Sequence, residues 1–94
     1  MGKIEKIKEE IIPILKQAGV TRSAIFGSYA RGEEKPDSDL DILVDLPEGK
    51  SLFDLVDLKQ SLEKKLNLTV DVLTYNAINP RLRDYIFSSQ VSVL

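Results

Sequence analysis

Three aspartates and one glycine–serine pair are the residues of this chain best placed to do chemistry. Asp39 and Asp41 stand two positions apart at the head of Asp39-Leu40-Asp41-Ile42-Leu43-Val44-Asp45. In an extended segment both carboxylates therefore face the same way. Two carboxylates one strand period apart are hard oxygen donors for a divalent cation. Upstream, the apolar run Ala24-Ile25-Phe26 meets Gly27-Ser28, where the chain can turn sharply into a short helix closed by Arg31 and Gly32. A glycine-bounded helix start offers backbone N–H groups and a positive dipole end to an anion. Downstream, Asp71 interrupts Thr69-Val70-Asp71-Val72-Leu73, an otherwise strongly β-forming segment. If its strand lies beside that of Asp41, three carboxylates share one face. They would repel and raise one another's pKa values without a cation, whereas magnesium accepts a few carboxylates and completes its shell with phosphate oxygens and water. With two ions, Asp39 and Asp41 can bridge both, and Asp71 can hold the one nearest the attacking hydroxyl. A phosphate cradle beside metal-binding carboxylates reads as nucleotide chemistry.

Regular elements must position these groups, and their periodicity is legible. Ile4, Ile7, Ile11, Ile14, Leu15 and Ala18 recur at helical spacing and predict an amphipathic helix ending at Gly19, kinked where Pro13 removes the bond to Glu9. Val20 to Phe26 reads as a strand entering the glycine turn. From Leu40 to Leu46, the alternation places Leu40, Ile42, Val44 and Leu46 on one face and Asp39, Asp41, Leu43 and Asp45 on the other. Asp45 lies roughly 13 Å along the strand from Asp41, too far to join the same site. Ser51 and Asp54 predict a capping box for a second helix through Leu66. Leu68 to Thr74 reads as a third strand. Asn79-Pro80 starts a last helix to about Ser88, and Val91 to Leu94 forms an edge strand or a docked tail. Leu43 and Leu73, apolar on the carboxylate face, are candidates to floor a nucleotide pocket. Tyr29 and Tyr75 could stack on a base or pack against the sheet.

Composition narrows the classes of function. Ninety-four residues with 43% apolar and 30% charged content suit one small α/β (α+β) domain spanning residues 1–94. A formal charge of −2 argues against stable electrostatic binding of nucleic acid, which usually requires a basic stripe. The absence of cysteine and histidine removes disulfides, the usual zinc sites and thiol or imidazole catalysis. No apolar run approaches membrane-spanning length and no secretory pattern opens the chain, so a cytoplasmic protein without membrane association is expected. Lys35, Arg81 and Arg83 could reach phosphate, although solvated surface charge is the commoner use.

Gly27 and Gly32 have the spacing of two Walker A glycines, but Glu33-Glu34 stands where lysine and then serine or threonine are needed. The arrangement that does fit is Gly27-Ser28-x-x-Arg31-Gly32 followed by Ser38-Asp39-x-Asp41. It closely resembles the signature of the nucleotidyltransferase superfamily typified by DNA polymerase β, with Asp71 matching the third carboxylate. That resemblance spans about Ala24 to Asp45. In its small size the chain is similar to the minimal nucleotidyltransferase branch, often the antitoxin half of a pair with a HEPN-domain toxin. The helix–strand–strand–helix–strand order of the whole chain is compatible with it. The resemblance implies a polymerase β-like core, a small mixed sheet packed against helices on one side. It also implies residue roles. Gly27 and Ser28 would bind the triphosphate, while Arg31 would touch phosphate or pair with a carboxylate to hold the turn. Ser38 would bind nucleotide or, on local hydrogen-bonding grounds, cap the turn into the strand. Asp39, Asp41 and Asp71 would be both catalytic and metal-binding, holding two Mg2+ ions on ATP.

Three functions remain open at this point. The first is transfer of AMP from a nucleoside triphosphate to a protein hydroxyl, for which the resemblance suggests a cognate HEPN toxin as acceptor. The second is a non-catalytic antitoxin that neutralises its toxin by binding. The third is transfer to a nucleic acid or a small-molecule acceptor, which the acidic balance and short length disfavour. An exposed Val91–Leu94 edge or the apolar faces of the terminal helices could mediate self-association or toxin binding.

Overall fold

The computed structural model describes residues 3–94. A helix α1 (Lys3–Gln17) leads to strand β1 (Arg22–Phe26), a single turn α2 (Ser28–Arg31) and strand β2 (Leu40–Asp45). Helix α3 (Leu52–Leu66), strand β3 (Val70–Thr74), a 3-10 turn (Tyr75–Ala77), helix α4 (Pro80–Ser88) and strand β4 (Val91–Ser92) complete the chain. The strands form one mixed sheet in the order β3-β2-β1-β4, with β1 antiparallel to β2 and β4, and β2 parallel to β3.

The ends of the elements follow their sequence signals. Helix α1 continues through Pro13, whose missing N–H still leaves Glu9 without its usual intrahelical donor. It stops at Gly19, φ +85°, in a Schellman arrangement: Gly19 N donates to Lys16 O (3.1 Å) and Val20 N to Leu15 O (3.0 Å). Helix α3 starts on the full capping box, with Phe53 N donating to Ser51 Oγ and Ser51 N to Asp54 Oδ2. Asn79 Oδ1 caps α4 by accepting from Arg81 N at 2.9 Å. The strands run shorter than the hydrophobic patterns predict at Val20, Leu46 and Leu68, where the apolar residues pack on the core from flanking loops. Past β4 the tail docks as well: Val93 N and Leu94 N both donate to Ser23 O.

The main core fills the space between one sheet face and helices α1 and α3. Ile7, Ile11 and Leu15 meet Leu58 and Leu62 over Ile25, Leu40, Ile42, Val44 and Val70. Those strand residues are the apolar half of the period-2 alternation, so burial of that half turns the other half outward. A smaller cluster lies on the opposite face, where Phe26 and Leu43 are covered by Ile78 and by Ile86 of α4. Among the described residues, no helix is long and apolar enough to cross a membrane.

Candidate active site

Register decides the geometry of the site. Asp41 pairs with Phe26 across the antiparallel β1–β2 ladder and with Asp71 across the parallel β2–β3 ladder. Paired residues share a face, so Asp41, Asp71 and Phe26 all project from the side opposite the main core. They do so at one end of the sheet, beside the α2 turn. Asp39, just before β2, lies on the same side, and with Gly27, Ser28, Arg31 and Ser38 these residues line a cleft of about 510 Å³. All seven residues expected at the site from the sequence therefore converge.

Gly27 makes the convergence possible. Its φ of +75° and ψ of −151° lie in a region essentially reserved for glycine. A Cβ there would also collide with the Asp41 carboxylate. The glycine is thus required twice, by its own backbone and by the side chain seated against it. The turn that follows has its first internal bond from Arg31 N to Gly27 O (3.2 Å), so the N–H groups of Ser28, Tyr29 and Ala30 precede it. With only one turn, α2 carries little macrodipole; what it has to offer an anion is N–H groups.

The Asp41 carboxyl is pushed up from 3.8 to about 6, first by burial, then by the nearby Asp71 charge, a hydrogen bond to Asp71, and Asp39. Arg31 opposes the shift without cancelling it. Arg31 is already engaged: its Nε donates to Glu33 Oε1 at 3.0 Å, and its guanidinium lies 5.6 Å from the centroid of the Tyr85 ring. Between touching phosphate and pairing with a carboxylate, its recorded partner is Glu33. Ser38 closes its turn reciprocally, Oγ accepting from Lys35 N (2.8 Å) and N donating to Lys35 O (2.9 Å).

The donor set fits a hard divalent cation. It consists of acidic oxygens in excess of local positive charge, one of them held partly out of water at a cost that a cation would offset. Among the described residues, no three acidic side chains are gathered tightly enough to hold an ion as they stand. Asp41 and Asp71 stand in register on neighbouring strands, and their mutual repulsion is what a bound cation would relieve.

Leu43 and Leu73 depart from the sequence reading, while Tyr29, Tyr75, Lys35, Arg81 and Arg83 take the packing or surface alternative it offered. Leu43 is fully buried under Phe26, Ile78 and Ile86, and Leu73 is not among the residues lining the cleft, so neither floors it. Tyr29 is buried in the main core, and Tyr75 packs on Phe87 with the Arg22 guanidinium 4.3 Å from its ring. Neither tyrosine is free to stack on a base. Lys35, Arg81 and Arg83 are exposed and likewise lie outside the cleft lining. The wall facing the carboxylates is instead Phe26 with Leu82, Tyr85 and Ile86 of α4. Their i, i+3, i+4 spacing could have been read as one apolar stripe, but nothing local indicated which part of the sheet it would cover.

Comparison with known proteins agrees with this geometry. A family model described as nucleotidyltransferase domain matches residues 4–93. A Methanocaldococcus jannaschii protein named "putative protein adenylyltransferase" is 59% identical over 91 residues, covering 97% of this chain and 98% of its own. A solved structure of a "putative minimal nucleotidyltransferase" superposes with a TM-score of 0.82 at 36% identity, over 94% of this chain and 90% of that one. A toxin–antitoxin assembly crystallised with AMP-PNP shares the fold at 22% identity and a TM-score of 0.81, over 93% of this chain and 72% of that one. Matched from its first helix to its last strand, and carrying the signature residues around one cleft, the chain belongs to the nucleotidyltransferase domain family and, within it, to the minimal nucleotidyltransferases.

Proposed function

We propose that this protein transfers AMP from ATP to a hydroxyl of a cognate HEPN-domain toxin and thereby acts as its antitoxin. The observation that carries this reading is the in-register pair Asp41 and Asp71 set against Gly27, the one residue whose lack of a Cβ leaves room for the carboxylate. Relatives named as protein adenylyltransferases support the reaction class, and a shared fold with an antitoxin supports the setting.

In this assignment Gly27 and Ser28 receive the triphosphate through N–H groups and the serine hydroxyl. Asp39, Asp41 and Asp71 would hold two magnesium ions, which supply charge neutralisation on both sides of the displacement. Asp71 faces the acceptor. The acceptor oxygen bonds to the α-phosphorus as the bond to the β-phosphate bridging oxygen breaks, and pyrophosphate leaves with that electron pair. The hydroxyl proton passes to a carboxylate of the cluster or to water, the bases nearest the reacting oxygen in a chain without histidine or cysteine. Arg31 holds the turn through Glu33, and Ser38 holds the loop that delivers Asp39.

The test is transfer of label from α-labelled ATP to the purified toxin, with Asp39→Asn combined with Asp41→Asn as the control. The parent should label the toxin and the double variant should be at least ~1,000-fold slower, in line with the loss of a catalytic charge-stabilising group. Absence of label from the parent with magnesium present would exclude the reaction.

A second reading, neutralisation by binding alone, is favoured by one feature. Leu52 and Phe53 at the start of α3 are 73% and 82% exposed, with Val56 one turn on. Adjacent large apolar side chains in water are characteristic of a contact surface.

A further inference from the structure

The cleft has two chemically different walls. One is polar, formed by the aspartates, Gly27, Ser28 and Ser38; the other is apolar and belongs chiefly to α4. On that wall Ile86 is buried against Phe26 and Leu43, whereas Leu82 and Tyr85 are 51% and 58% exposed. Leu82 and Tyr85 are three residues apart on one helix face and form a lip over the cleft. The lip is held in place. Ile86 anchors the helix below it, and the Arg31 guanidinium, itself fixed by Glu33, lies 5.6 Å from the Tyr85 ring centroid.

We propose that Tyr85, backed by Leu82, is the stacking platform for the base of the nucleotide and hence a specificity-determining residue. The assignment rests on the nucleotidyltransferase reading of the polar wall. A nucleotide whose phosphates lie at Gly27, Ser28 and the aspartates has its sugar and base left to place, and the apolar surface facing that wall is the α4 lip. An aromatic ring on the apolar wall of the cleft, across from its aspartates, offers a flat π-face to a neutral heterocycle. Stacking reads ring area rather than hydrogen-bonding edges, so this lip selects purines over pyrimidines and discriminates weakly between adenine and guanine. Tyr29 and Tyr75, the other tyrosines of the chain, are committed to packing.

Calorimetric titration of the full chain with Mg-ATP and, separately, with magnesium tripolyphosphate tests the assignment without reference to turnover. Tyr85→Ala should weaken Mg-ATP binding about ten-fold or more, the usual effect of losing one base–aromatic stack. Tyr85→Phe should bind ATP as the parent does, and all three proteins should bind tripolyphosphate equally. Equal loss of ATP and tripolyphosphate in Tyr85→Ala would overturn the proposal, because the residue would then act through the phosphate site or the fold. Unchanged ATP binding with a raised KM for the protein acceptor would overturn it as well, assigning the lip to the acceptor. If the parent binds neither ligand, the nucleotide site itself is wrong. If it binds both and Tyr85→Ala loses neither, only the platform is wrong.

Discussion

Gly27 and Asp41 form one unit, and each explains the other. The glycine is held at φ +75°, ψ −151°, and its missing side chain is the space the aspartate occupies. Gly27→Ala should therefore lose about 1–3 kcal/mol of stability from the backbone conformation alone. It should also lose nucleotide transfer, because Asp41 must leave its position; thermal denaturation and the toxin-labelling assay report the two effects separately. Asp41 has a further consequence for pH. Its pKa is raised in the fold, from 3.8 to about 6, so between those values the folded protein retains a proton that the unfolded chain gives up. Stability from that proton is complete below the unfolded value and is lost as pH rises through about 6. For a half-buried carboxyl screened by solvent the loss is discounted to ~1 kcal/mol. Metal-free protein should melt higher at pH 4.5 than at pH 7 on this account, Asp41→Asn should flatten the difference, and magnesium should raise the melting temperature more at pH 7 than at pH 5.

At the scale of elements, β3 is one of the sheet's two edge strands and carries Asp71, so its edge needs a substitute for the missing neighbour. Glu63 of α3 provides one. Its Oε2 accepts from Val70 N at 3.0 Å and from Lys59 Nζ at 3.1 Å, and these partners hold its carboxyl below the usual range, the Val70 bond foremost. The bond fixes the residue immediately before Asp71 and occupies an edge N–H that would otherwise invite strand addition. Glu63→Ala should speed amide exchange at Val70 about five-fold, as expected for one lost hydrogen bond, and leave α1 amides unchanged. Hydrogen exchange read by NMR checks both halves of that statement. Helix α3 thus serves the site twice, as the crossover that makes β2 and β3 parallel and as the clamp on the incoming strand.

At the scale of the molecule, one face of the sheet supports the fold and the other does the chemistry. Helices α1 and α3 bury the apolar half of each strand, while the carboxylates project under α4 on the far side. The Leu52–Phe53–Val56 patch lies on α3, and none of its residues lines the cleft. If it is a toxin-contact surface, Phe53→Glu should abolish co-purification with the toxin and leave Mg-ATP binding intact. The fold should change by no more than ~0.5 kcal/mol, as for an ordinary surface substitution. Loss of binding together with retained labelling at high toxin concentration would separate docking from catalysis.

The linear chain determined whatever depends on near neighbours. Alternation at Leu40–Asp45 set which side chains share a face, Gly19 and Ser51 set where helices end and begin, and the Gly27-Ser28 and Asp39-x-Asp41 spacings marked the chemistry. These signals are local because backbone periodicity and capping act over a few residues. Two matters were decided only by tertiary packing. One is the parallel register that sets Asp71, thirty residues downstream in sequence, beside Asp41. The other is the placement of α4, which buries Leu43 instead of leaving it as a pocket floor and brings Leu82 and Tyr85 over the aspartates. Helix α4 has apolar residues at Leu82, Tyr85, Ile86 and Phe87, and their spacing alone could not assign which ones face the core. That choice was made by the exposed apolar surface of Phe26 and Leu43, a feature that exists only once the sheet has formed.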